Sequence, residues 1–188
     1  RKFNATTDNL ISNAVVTYKI SPGLQFKSSF GYNQIRRSEI QTNPRQSYSS
    51  PSALRTSNYR NGTIRNWIIE PQIEFQTTVS DGKLVVLVGG SFQESNQNST
   101  TLQASGYIND AQMENIQNAS NVTVESVMNT LYRYTAVFGR INYNWREKYF
   151  LNVTGRRDGS SRFSPDRQFA NFGAVGVSWI FSKEKFTH

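Results

Sequence analysis

The sequence contains no cysteine, and its one histidine, His188, is the last residue. The first absence excludes disulfides, thiolate metal sites and cysteine nucleophiles. The second removes histidine triads, His-rich metal sites and most general-base schemes, and no cofactor or enzymatic activity is expected. No apolar run approaches the ~20 residues of a transmembrane helix. Helix-forming Ala/Leu/Glu/Lys stretches are missing. Charge is sparse at 18% of residues, and it is unbalanced, with 21 Lys+Arg against 13 Asp+Glu and a formal net charge of +8. What is present in quantity is aromatic: 9 Tyr, 12 Phe and 3 Trp in 188 residues, set among Asn, Ser and Thr. Disordered chains lack aromatics, so the composition points to a β-rich protein with polar connections. The chain opens on Arg1, which suggests a segment of a longer protein.

Period-two alternation dominates. Val16, Tyr18 and Ile20 alternate with Val15, Thr17 and Lys19, and after Ser21-Pro22-Gly23 the residues Leu24, Phe26, Phe30 and Tyr32 alternate with Gln25, Lys27 and Gly31. Trp67, Ile69, Ile73 and Phe75 oppose Asn66, Glu70, Gln72 and Glu74. Beyond Ser80-Asp81-Gly82 come Leu84, Val86 and Val88, with Val85 and Leu87 blurring the pattern. Val137, Ile141, Tyr143 and Trp145 precede a turn at 146–148. Tyr149, Leu151 and Val153 follow it, and Val175, Val177, Trp179 and Phe181 form a last apolar series. Seven strands of roughly ten residues are expected. Tight connections (21–23, 80–82, 146–148) alternate with long ones (34–63, 95–130, 155–168). Strands of that length, with short turns at one end and long loops at the other, describe an outer-membrane barrel. The rival is a soluble β-sandwich, a carbohydrate-binding or adhesin-type module, whose strands are usually shorter. Seven is an odd number, which fits a portion of a larger barrel.

The stretch 140–186 is the most specific. Asn142-Tyr143, Lys148-Tyr149, the octet Arg156-Arg157-Asp158-Gly159-Ser160-Ser161-Arg162-Phe163, Trp179, and Glu184 with Phe186 together resemble the SusC/RagA family of TonB-linked outer-membrane transporters. The resemblance implies that residues 1–188 form one segment of a 22-stranded barrel, without the plug domain. It implies an outer-membrane location and import of an oligosaccharide or short peptide. It also implies a SusD-like lipoprotein partner and energy from TonB through the plug.

Within the octet, Asp158-Gly159 is expected to form a tight turn. Arg156, Arg157, Asp158 and Arg162 are candidates for a loop network bracing the barrel mouth or, less favoured, for substrate contact. An Asp flanked by arginines is a poor general base. Loop 34–63 carries Arg36, Arg37, Arg45, Arg55 and Arg60 against Glu39 alone. Arginines interleaved with Tyr48 and Tyr59 can read as a nucleic-acid surface, but they are spread out. An exterior loop meeting lipopolysaccharide, a partner or a sugar is favoured, and no nucleic acid is expected. Loop 95–130 has Asp110, Glu114 and Glu125 and no Lys or Arg, with a short helix expected over 108–119 for packing. Glu70 and Glu74 lie about 13 Å apart along a strand, too far for a retaining glycosidase pair. Six N-x-[ST] sequons, at Asn4, Asn61, Asn98, Asn118, Asn121 and Asn152, are what a chain rich in these residues produces by chance.

Parity makes three expectations. Val16, Tyr18, Ile20, Phe26, Phe75, Val137, Ile141, Val175 and Val177 should share one face, towards the lipid bilayer. Gln25, Lys27, Glu70, Glu74, Arg140 and Asn142 should share the other. Trp145 and Trp179 should stand at one height near the periplasmic interface, with Trp67, close to the start of its strand, near the extracellular one. Without lipid, such a segment should curl and self-associate through its unpaired edges or its apolar face.

Overall fold

The computed structural model describes residues 1–50 and 52–184. It contains seven strands: β1 (Lys2–Ser21), β2 (Leu24–Asn43), β3 (Thr56–Val79), β4 (Gly82–Ser105), β5 (Asn121–Trp145), β6 (Tyr149–Ser160) and β7 (Phe169–Trp179). They lie in one sheet in the order of the chain, so every neighbour is a sequence neighbour and β1 and β7 are its edges. The sandwich alternative fails here, since all seven strands belong to this single sheet. No helix among the described residues is long and apolar enough to cross a membrane.

The three tight turns are dictated locally. Pro22 and Gly23 form the first; Gly23 has φ 82°, and a Cβ there would lie 2.2 Å from the Gln76 carbonyl oxygen. The second and third place two consecutive residues at positive φ, Ser80 (46°) with Asp81 (61°) and Arg146 (52°) with Glu147 (55°). Such mirror-image turns match the twist of the strands they join. The second and third turns are tied together, the Arg146 amide donating to the Asp81 carbonyl at 3.2 Å.

The strands are longer than expected: β1 to β5 run for 20, 20, 24, 24 and 25 residues. The segments 34–63 and 95–130 are therefore not loops. Most of each is paired strand, and the true connections are 44–55 and 106–120. The expected helix at 108–119 is two single 3-10 turns, Asp110–Gln112 and Ile116–Asn118, capped by the side chains of Asn109 and Asn115. The third long connection also shrinks, to 161–168, because β6 continues to Ser160.

The chain resolves into two compact units. The first comprises residues 1–11, 32–66 and 95–131. Its small core is Ala104, Tyr107 and Met113, against which Tyr59, Ile116 and Ala119 pack. The Ser57 and Tyr59 hydroxyls both donate to the Met113 carbonyl, at 2.7 and 2.9 Å, and so satisfy the backbone of the connection over that core.

The second unit comprises 12–31, 67–94 and 132–188, of which residues to 184 are described. Its two faces follow from the register. Ile141, Val153 and Val175 form one cross-strand row, and Tyr143, Leu151 and Val177 the next. The intervening rows are polar or small: Arg140, Thr154 and Ala174, then Asn142, Asn152 and Gly176. Glu70 joins the polar face through hydrogen bonds from Ser29 (3.1 Å) and Ser91 (2.8 Å). Val85 lines a recess with Lys83, Asn142 and Asn152, and Leu87 another with Gln72 and Arg140, so both of these apolar residues stand on that polar face.

Candidate functional site

At the turn end of β5, β6 and β7 an aromatic row runs along the apolar face. Trp145 pairs with Tyr149 and Tyr149 with Trp179 in the register. Ring centroids are 5.4 Å apart for the first pair and 6.3 Å, near parallel, for the second; Phe181 meets Trp179 edge-on at 6.5 Å. Trp145 and Trp179 thus share one height, two strands apart. The Arg146 guanidinium lies 4.9 Å from the Trp145 ring centroid.

Glu184, just past β7, closes this row. It accepts from the Tyr149 hydroxyl (2.7 Å), the Lys148 ammonium (3.0 Å) and the Trp179 indole (3.2 Å). These donors, the Tyr149 hydroxyl foremost, hold its carboxyl down at about 2. Lys183 pairs with Glu147 at 3.3 Å, and the Ile180 amide donates to the Lys148 carbonyl at 2.8 Å. Lys148-Tyr149, Trp179 and Glu184 are the scattered members of the motif noted above, and the register is what gathers them. Phe186, the motif's last member, lies outside the described residues. Trp67 stands in the middle of β3 rather than near its start, because that strand begins eleven residues earlier, at Thr56.

Asp158-Gly159 is not a turn; the chain turns only beyond it, at Ser161–Arg162, where the Phe163 amide donates to the Ser160 carbonyl at 3.4 Å. Residues 156–160 are the end of β6, with Asp158 paired to Ala136 on one side and Ala170 on the other. Gly159 serves close packing instead of positive φ: a Cβ there would lie 2.6 Å from the Phe169 ring. Strand alternation divides the four candidates. Arg156 and Asp158 share the polar face, joined Nε to Oδ1 at 2.5 Å, while Arg156 Nη2 donates to the Tyr134 hydroxyl at 2.5 Å. Arg157 falls on the other face with its guanidinium 5.0 Å from the Phe169 ring centroid. Arg162, beyond the strand, lies 4.3 Å from that of Tyr132. The sequence reading missed Tyr134, Phe138 (5.4 Å from the Arg156 guanidinium carbon) and the Arg133–Glu94 ion pair at 2.8 Å. Arg140, Arg156, Phe138 and Phe172 line a recess of about 490 Å³ on the polar face.

In the first unit the charged segments meet. Arg55 donates to Asp110 at 2.5 Å and Lys2 pairs with Glu114. Glu39, the lone acid among the arginines of 34–63, is buried and held by both Arg37 and Arg60. A basic segment beside an acidic one was the available signal. Among the described residues no three His, Asp or Glu side chains group as metal ligands do.

No family model matches the chain. It is similar to the TonB-dependent receptor P39 of Formosa agariphila, 30% identical over 188 residues, which cover 99% of this chain and 18% of that protein. The TonB-dependent receptor SusC of Bacteroides thetaiotaomicron is 25% identical over 189 residues, 97% of this chain and 18% of that one. The chain therefore spans about a fifth of these relatives. Among solved structures, the RagAB peptide transporter superposes with TM-score 0.88 at 19% identity, covering all of this chain and 21% of its own. The ferric citrate transporter FecA superposes at 0.54 and 10% identity, over 92% and 24%.

Proposed function

We propose that this chain, which belongs to the SusC/RagA family of TonB-dependent outer-membrane transporters, forms barrel wall in a transporter that imports a nutrient. The cargo is an oligosaccharide or a short peptide. A SusD-like lipoprotein closes the extracellular mouth, and TonB supplies energy through a plug outside these residues.

One observation carries this reading. The second unit presents an apolar face, with Val175 70% and Val177 79% exposed, backed by rows of Arg140, Asn142 and Asn152. Burying one such side chain is worth about 1.5–3 kcal/mol, so a face built of them calls for cover along its whole extent. Lipid supplies that cover, and a polar lumen suits the reverse face. A soluble binding module would need a second layer over the apolar side.

The aromatic row fits the membrane interface, where amphipathic rings prefer to sit. Trp145 and Trp179 mark the periplasmic level and Trp67 the extracellular one. The octet supports the wall rather than gripping solute: Arg156 and Asp158 satisfy one another, and Arg157 and Arg162 lie over rings. The relatives are receptors and transporters, not enzymes.

The test is uptake by cells with and without the gene of the full transporter, using labelled oligosaccharide and peptide pools. Deletion should abolish concentrative uptake of one pool, and a protonophore should mimic it. Unchanged uptake of both pools would overturn the reading.

A further inference from the structure

One recess of the first unit has a built floor. Thr7, Ile35, Arg37, Glu39, Arg60 and Ser99 line a space of about 400 Å³ over β2, β3 and β4. The Glu39 side chain at its base is 8% exposed. Arg37 Nε pairs with one of its oxygens; Arg60 Nη1 donates to the other at 3.3 Å, and Arg60 Nε to Thr101 at 3.4 Å.

A buried carboxylate needs this compensation, but two guanidiniums exceed it by one positive charge. Each guanidinium carries five N–H donors in a fixed fork; Glu39 and Thr101 engage Nε of Arg37 and Nε and Nη1 of Arg60, which leaves the other prongs open. The two arginine side chains remain 58% and 60% exposed, with Glu39 fixing their position beforehand. Ordering them in advance lowers the entropic cost of a ligand's arrival. On the same parity stand the hydroxyls and amide of Thr7, Gln97 and Ser99, beside Ile35 and Ile64. Counted along the strands, Arg37 is in step with Lys27, Arg60 with Glu70 and Ser99 with Ser91, the polar parity in each case. β2, β3 and β4 are interior strands whose backbones are engaged on both sides. A peptide main chain would find no edge to pair with.

We propose that this recess is a subsite for the carboxylate of an acidic, hydroxyl-rich oligosaccharide. One planar carboxylate takes the free prongs of the two guanidiniums, and sugar hydroxyls take the surrounding amides and hydroxyls. The proposal rests on the transport reading and narrows its cargo.

The test uses the full-length transporter in detergent and titrates trigalacturonate against its carboxyl-reduced, neutral counterpart. The wild type should favour the acid by about tenfold or more, the scale of one charge-assisted contact pair. That preference should weaken with added salt. R37Q keeps Glu39 paired to Arg60 and should reduce the acid-over-neutral ratio to about threefold or less, with the thermal midpoint read alongside; R37K, which keeps a cation beside Glu39, should retain more of that ratio. R60K should retain more of it than R60Q. No acid preference in the wild type, a preference intact in R37Q, or tri-glutamate binding as tightly as trigalacturonate would overturn the subsite. Uptake of neutral oligosaccharides without acid preference sinks the subsite alone, whereas normal uptake after gene deletion sinks the transport reading.

Discussion

The Tyr149 hydroxyl donates to Glu184 at 2.7 Å, tying the first residue of β6 to the segment that leaves β7. Three donors converge on that carboxylate, so its value in the fold, about 2, lies below the ordinary 4.5. The linkage sign follows: the stabilisation is complete above about pH 4.5 and is lost as pH falls towards 2. In the full transporter in detergent micelles, the thermal midpoint should drop between pH 5 and pH 2, and E184Q should flatten that fall. An E184Q profile identical to wild type would refute the assignment.

Gly159 lies under the Phe169 ring, and Gly82 under Tyr143, whose hydroxyl reaches the Val79 carbonyl at 2.9 Å. Each glycine leaves room for an aromatic from the neighbouring strand. G159A forces that ring aside and should destabilise by about 1–3 kcal/mol, the usual cost of overpacking. The double change G159A/F169L should recover much of it, read as urea midpoints of the transporter in vesicles. Equal midpoints for G159A and wild type would contradict the packing.

The turn after β5 asks two non-glycine residues, Arg146 and Glu147, to hold positive φ. Each costs about 1 kcal/mol relative to glycine. The Glu147–Lys183 pair offsets little, because the Glu147 side chain is 81% exposed. E147G should therefore raise stability by up to about 1 kcal/mol. A lowered unfolding midpoint would mean that the ion pair outweighs the backbone strain.

Turn chemistry and parity were legible from residues alone. Pro22-Gly23, Asp81-Gly82 and Arg146-Glu147 announce the hairpins, and the apolar parity of Ile141, Tyr143 and Trp145 holds in the register. The outward continuation of β2 to β5 was not legible. Segments such as 34–43 and 95–105 are mostly Gln, Asn, Ser and Thr, with Arg and Glu in the first, and hold only Ile35, Ile40, Leu102 and Ala104 as apolar residues, so hydrophobic alternation vanishes while backbone pairing goes on. The octet misled for a related reason: Asp158-Gly159 has turn composition, yet β5 and β7 flank it and recruit it into the sheet. Glu184 could not be placed without the register, since its three donors come from positions 148, 149 and 179.

The heights of the tryptophans supply the last prediction. Trp145, Tyr149 and Trp179 form one row at the turn end. Trp67 lies twelve residues before the end of β3 at Val79. At a rise of about 3.4 Å per residue that is about 40 Å along the strand, and a tilt of about 40° reduces it to about 30 Å of height. The hydrocarbon core is about 30 Å thick, so the proposed membrane placement would have the rows at Trp67 and Trp145 bracket it. β3 then continues beyond Trp67 to Thr56, through residues such as Arg60, Asn61 and Thr63, whose polarity suits water rather than lipid. In the full transporter reconstituted with brominated lipids, single-tryptophan variants should report all three indoles as shallow. A leaflet-restricted aqueous quencher should reach Trp67 from the extracellular side, and Trp145 and Trp179 from the periplasmic side. The same segment expressed alone, without lipid, should self-associate to cover these rings, and sedimentation would read that directly. Deep quenching of Trp67, or a monomeric segment in plain buffer with Trp145 and Trp179 fully exposed, would break the membrane placement.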